Sequence, residues 1–118
     1  MERNLVFVDD NETIVGIMEM ELAGVYNITT FIDPIKALEY IKNNRDKVDI
    51  LLTDFMMPQM NGLQLVEETK KINSSIRTII LTGYCKEIED ERKSSCDLLL
   101  DKNILVDNNN LIEILDQN

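Results

Sequence analysis

Four short apolar runs in this chain end in residues suited to holding a cation and a phosphoryl group. Leu5–Val8 runs into Asp9-Asp10, Ile50–Thr53 into Asp54, Thr78–Leu81 into Thr82-Gly83, and Leu98–Leu100 into Asp101-Lys102. Adjacent carboxylates repel each other by roughly 3 kcal/mol at about 5 Å and an effective dielectric of about 20. A hard cation among Asp9, Asp10 and Asp54 would remove that repulsion. Mg²⁺ is the expected ion, because it takes one or two carboxylates, keeps several waters and shares phosphate oxygens. Asp10 and Asp54 are the expected direct ligands, with Asp9 acting through water and a backbone carbonyl near Met56 completing the protein shell. A carboxylate also serves as a nucleophile toward a phosphoryl group, giving an acyl phosphate. Asp54 is assigned that role; Lys102 would add a mobile point charge and Thr82 a hydroxyl donor for the phosphoryl oxygens.

Bulk properties narrow the classes. A length of 118 residues suits one domain spanning 1–118, large enough to bury roughly two-thirds of its unfolded surface. The chain has no histidine, which removes every Ser-His and Cys-His mechanism. Its two cysteines, Cys85 and Cys96, lack metal-ligand spacing and suit a reducing, cytoplasmic setting. A net charge of −10 repels nucleic-acid phosphates and favours a metal cation or a basic face on a partner protein. No apolar run approaches the roughly 20 residues of a membrane helix. The start, Met1-Glu2-Arg3-Asn4, leads at once into a strand and carries no targeting pattern.

The elements that would position these residues alternate in type. Strands are expected at Leu5–Val8, Val25–Phe31, Ile50–Thr53, Thr78–Leu81 and Leu98–Leu100. Four are solid apolar runs, as for strands covered on both faces. Val25–Phe31 alternates and reads as an edge. Between them lie helical stripes: Ile14, Val15, Met18 and Leu22; Ala37, Leu38 and Ile41 behind an Asp33-Pro34 start; Leu65, Val66, Thr69 and Ile72; and Leu111, Ile112 and Leu115 after Asp107 or an asparagine cap. The stretch Lys86–Ser95 has only Ile88 as an apolar residue and predicts a short, exposed or mobile helix. Right-handed crossovers then give an α/β fold: a five-stranded parallel sheet, order 2-1-3-4-5, with helices on both faces, doubly wound and flavodoxin-like. Ligands in such sheets sit beyond the carboxyl ends of the strands, at the switch between the first and third.

The loop DFMMPQMNG, Asp54 to Gly62, is very similar to the phosphoacceptor loop of response-regulator receiver domains. The upstream acid pair, the later Thr82-Gly83 and Lys102 fall in that family's order, and the resemblance spans nearly the whole chain. It implies transfer of a phosphoryl group to Asp54 from the phosphohistidine of a partner histidine kinase or phosphotransfer protein. It also implies Mg²⁺ at Asp10, Asp54 and the Met56 carbonyl, assisted by Asp9, with Thr82 and Lys102 on the phosphoryl group. The phosphorylated domain would shift a face built from its fourth and fifth helices and fifth strand, read by an output domain or protein. Such a domain is a regulator that assists its own dephosphorylation, not an enzyme acting on other substrates. Two positions depart from the family. Asn103 stands where a proline usually follows the lysine, and Leu99 stands where an aromatic ring usually turns inward. Leucine has no ring to swing into the gap beside Thr82.

Plainer readings stand beside these. Asp9-Asp10 would also cap the following helix, Asp54 and Thr82-Gly83 would also make turns, and Lys102 would also be a surface lysine. Pro58 and Gly62 shape the loop, and Met56, Met57 and Met60 pack it. A haloacid-dehalogenase type of phosphatase would need an acid where Met56 stands. An FMN-binding flavodoxin would need a glycine- and hydroxyl-rich loop where Asp9-Asp10-Asn11-Glu12 stands. A degenerate receiver, acting as a phosphorylation-independent interaction module, is the remaining alternative.

Overall fold

A computed structural model of the chain describes residues 3–83, 96–102 and 108–117. The elements run β1 (Arg3–Val8), α1 (Glu12–Leu22), β2 (Tyr26–Phe31), α2 (Pro34–Asn43), β3 (Ile50–Asp54), α3 (Gly62–Ile72), β4 (Arg77–Thr82), β5 (Leu98–Asp101) and a C-terminal helix, α4 (Asn108–Asp116). The expected Lys86–Ser95 helix, Cys85, Asn103 and the Asp107 cap lie outside the described residues.

The strands form one parallel sheet in the order β2-β1-β3-β4-β5, as the alternation of patterns predicts. Period-two alternation splits the strand side chains between two cores. On one face, Val6, Val8 and Leu51 pack with Ala37, Leu38 and Ile41 of α2 and Leu63 and Val66 of α3. On the other, Leu5, Phe7, Ile50 and Leu52 pack with Val15, Met18 and Leu22 of α1 and Leu111 and Leu115 of α4. Strands β1, β3 and β4 are thus covered on both sides. The expectation fails for β5, where Leu98, Leu99 and Leu100 are only half-buried. It pairs with β4 alone and forms an edge of the sheet, opposite β2.

Helix starts follow local chemistry. Asp33 accepts a hydrogen bond from the Ile35 N–H at the start of α2, and Pro34 fills the first turn, where a missing N–H costs nothing. Asn61 and Gln64 form a reciprocal capping box on α3.

Candidate functional site

Three strands end one residue later than their apolar runs, so Asp54, Thr82 and Asp101 are the last residues of β3, β4 and β5. Parallel register sets Asp54 beside Leu81 and Thr82 beside Asp101. Asp9 directly follows β1, and its N–H still bonds the Phe31 carbonyl of β2 at 3.1 Å. The sheet therefore delivers Asp9, Asp54, Thr82 and Lys102 to one edge, with Asp10 beside them.

Carboxylate oxygens of Asp9, Asp10 and Asp54 lie within 4.8 Å of one another. Asp9 and Asp54 are buried and Asp10 is exposed. The ammonium of Lys102 reaches in from the end of β5, 3.1 Å from Asp54 Oδ1 and 3.7 Å from Asp9 Oδ2. Lys102 is thus bound to the acid cluster and is not an ordinary surface lysine. Thr82 is fully buried.

The reading of Asp9-Asp10 as a helix cap is displaced by their neighbour. Asn11 is the N-cap of α1, and its side chain accepts from the N–H groups of Thr13 and Ile14. Asp9 Oδ1 accepts from the Asn11 N–H at 2.9 Å and so holds the cap residue from below. Asp9 Oδ2 is buried and, among the described residues, has no donor within hydrogen-bond distance, the Lys102 ammonium standing 3.7 Å away. The offset Asn11-Glu12 ahead of the apolar period is the signal that marks this cap in the sequence.

Burial raises the pKa of Asp9; the Asn11 N–H opposes this, and the charge of Asp54 adds to it. Burial likewise raises Asp54, opposed by the hydrogen bond and charge of Lys102. Burial pulls Lys102 down, but the Asp54 hydrogen bond and the charges of both acids outweigh it and leave its pKa raised. The cluster thus carries more negative charge than one ammonium compensates. An all-oxygen donor set with a buried carboxylate oxygen beyond hydrogen-bond distance of any donor among the described residues fits a hard divalent cation.

The loop after Asp54 closes back on its own start. The N–H of Gly62 donates to the Phe55 carbonyl at 2.8 Å, and the Met60 N–H donates to the Pro58 carbonyl at 2.8 Å. Gln59 takes the left-handed conformation at φ 72°. Met57 and Met60 pack against the core as expected, but Met56 does not: its side chain is 58% exposed.

The family model for the response regulator receiver domain matches residues 5–116. This chain belongs to that family. Among receiver-containing relatives, the two-component response regulator ARR21 of Arabidopsis thaliana is 32% identical over 94 residues, covering 79% of this chain. The response regulator SaeR of Staphylococcus aureus is 35% identical over 86 residues, covering 71% of this chain. The matches span only 15% of the former and 36% of the latter. Among solved receivers, the response regulator TrrA of Thermotoga maritima, in complex with Mg²⁺-BeF, superposes with a TM-score of 0.82 at 26% identity, covering 96% of each chain. A CheY-like receiver from Methanospirillum hungatei has the same fold, with a TM-score of 0.82 at 23% identity over 98% of this chain and 91% of that one. No helix among the described residues of this receiver is long and apolar enough to cross a membrane.

Proposed function

We propose that this receiver domain, spanning the whole chain, accepts a phosphoryl group on Asp54 from the phosphohistidine of a partner histidine kinase or phosphotransfer protein. The observation that carries the reading is the 3.1 Å contact of Lys102 Nζ with Asp54 Oδ1 inside a cluster of three acids. An Asp54 carboxylate oxygen attacks phosphorus, the phosphorus–nitrogen bond breaks, and imidazole leaves with the electron pair. The product is an acyl phosphate on Asp54. Lys102 moves from the carboxylate to the incoming phosphoryl oxygens, and Thr82 donates its hydroxyl to one of them. Asp10, Asp54 and the Met56 carbonyl would hold Mg²⁺, with Asp9 acting through water. When bound, the ion neutralises charge on the acids and on the phosphoryl oxygens. Water attack on the acyl phosphate resets the domain, so it works as a regulator.

The basic face implied by the charge of −10 belongs to the donor protein. A reducing cytoplasm suits the buried thiol of Cys96. An attached or separate output protein would read the phosphorylated state.

Intact mass after incubation with acetyl phosphate and Mg²⁺ tests the reading. One added phosphoryl group, dependent on Mg²⁺ and absent from Asp54→Asn, is expected. A second reading, a phosphorylation-independent interaction module, draws on Leu99, which packs against the α2/α3 core and has no ring to move. Unlabelled protein with a phosphohistidine donor present would favour that reading.

A further inference from the structure

The opposite edge of the sheet carries chemistry of the other sign. A cleft of about 490 Å³ there is lined by Arg3, Lys70, Ser74, Ser75, Arg77 and Asp97. Arg3 and Arg77 begin β1 and β4, and Asp97 directly precedes β5. Strands of five or six residues separate this cleft from Asp54 by roughly 16 Å. Three cations gather here although the chain as a whole holds 12 basic against 22 acidic residues.

The acids of this edge already have partners. Asp97 Oδ2 takes the ammonium of Lys70 at 2.7 Å and the N–H of Thr78 at 2.8 Å. Its pKa is lowered: burial opposes this, but the hydrogen bonds from Lys70 and Thr78 prevail. Asp49 Oδ2 accepts the Asn4 N–H, and Asp116 Oδ1 accepts the Tyr26 hydroxyl. Lys70 is committed too, since its ammonium also donates to the carbonyls of Ser74 and Ile76, but the two arginines are less so. Among the described residues, Arg77 spends only Nη1, on the carbonyls of Ile114, Leu115 and Gln117 at the end of α4. Among the described residues, the guanidinium of Arg3 has no hydrogen-bond or ion-pair partner, and Ser74 and Ser75, which line the cleft, bond through their main-chain atoms only.

We infer that this cleft binds a small phosphorylated anion, held by Arg3 and the unused nitrogens of Arg77 with hydroxyl donors from Ser74 and Ser75. Guanidinium groups match phosphate oxygens two at a time, and the volume is in the range of small-molecule sites. The site is separate from Asp54 and does not need its phosphorylation to form. Because Arg77 also holds the last carbonyls of α4, an occupant there is coupled to the seating of that helix.

Amide NMR titration of the full chain in the absence of Mg²⁺ tests the site, with inorganic phosphate and ATP as separate probes in 150 mM NaCl. Saturable shifts at Arg3, Ser74, Ser75 and Arg77, extending to residues 114–117, are expected. Saturation by both probes identifies phosphate as the recognised group; saturation by ATP alone identifies a nucleotide. Arg3→Gln and Ser75→Ala each touch no internal hydrogen bond of these side chains. Arg3→Gln is expected to weaken binding about tenfold, as loss of a charged hydrogen-bond donor does. Absent or non-saturating shifts, or affinities unchanged in both variants, would overturn the site. Asp54→Asn should bind equally well, so this result and the labelling of Asp54 fail or succeed separately.

Discussion

Gly62 lies so close to Asp54 that a β-carbon on it would sit 2.3 Å from the Asp54 carbonyl oxygen and 3.0 Å from the Phe55 α-carbon. The first residue of α3 is thus pressed against the backbone of the proposed phosphoacceptor. Both near atoms are main chain and cannot swing aside. Gly62→Ala is expected to destabilise the fold by about 2–4 kcal/mol, as an overpacked core position does. Urea denaturation checks the loss. Acetyl phosphate labelling of the fraction still folded should also fall, because the shift must pass to Asp54 or to the α3 start.

Removing the ammonium leaves the acids uncompensated. Lys102→Met is expected to destabilise the metal-free protein by about 1–2 kcal/mol at pH 7, a partly exposed pair being worth less than a fully buried one. Added Mg²⁺ should restore most of that stability while labelling stays slow. A variant as stable as the parent without Mg²⁺ would contradict the compensation argument.

Burial raises Asp9 and Asp54 above the ordinary carboxylate value of 3.8. A raised acid pKa means that the folded state binds protons more tightly than the unfolded state, so stability falls as pH rises through the folded pKa. Metal-free protein should therefore gain stability as pH is lowered from neutral toward the ordinary carboxylate pKa. Below 3.8 the gain is complete, and Asp97, whose folded pKa is lowered, gives up its contribution as it protonates. Urea midpoints across pH read this slope. Asp54→Asn should raise the neutral-pH midpoint and reduce the slope, and Mg²⁺ should flatten it in the parent.

Thr69 is fully buried on α3, and among the described residues its hydroxyl has no hydrogen-bond partner. Thr69→Val keeps the shape and removes the unsatisfied oxygen. It is expected to be neutral or stabilising by up to about 1 kcal/mol, whereas Thr69→Ser keeps the oxygen, loses a methyl and should destabilise. Thermal melts of the two variants should move in opposite directions.

Much of the sheet was legible because its determinants are local. Solid apolar runs marked β1, β3 and β4, alternation marked β2 as an edge, and the residue after each run named the cluster that forms. The Asp33-Pro34 start and the Asn61 to Gln64 spacing are equally local. What was missed is of another kind. Gly62 reads in sequence as a turn-shaping residue, yet the left-handed conformation in that loop falls on Gln59 and Gly62 is needed for close approach. Arg77 holds carbonyls 37 and 38 residues away, and Tyr26 holds Asp116 90 residues away. Contacts across such separations leave no periodic trace. The half-burial of β5 follows from its place at the sheet edge, which an apolar run of three leucines does not encode.

The parallel order of the sheet also sets when these acids meet. Asp9 and Asp54 come together only when β1 docks beside β3, joining partners such as Leu5 and Ile50 across 45 residues of chain. Closing so long a loop is entropically expensive, though each doubling of length adds only about 0.6 kcal/mol. Charge repulsion is added at that same moment, so a divalent cation held by the proposed site would become a clock for strand docking. Chevron plots at two Mg²⁺ concentrations read it directly: a faster refolding arm dates the β1–β3 contact before the rate-limiting barrier, and a slower unfolding arm dates it after.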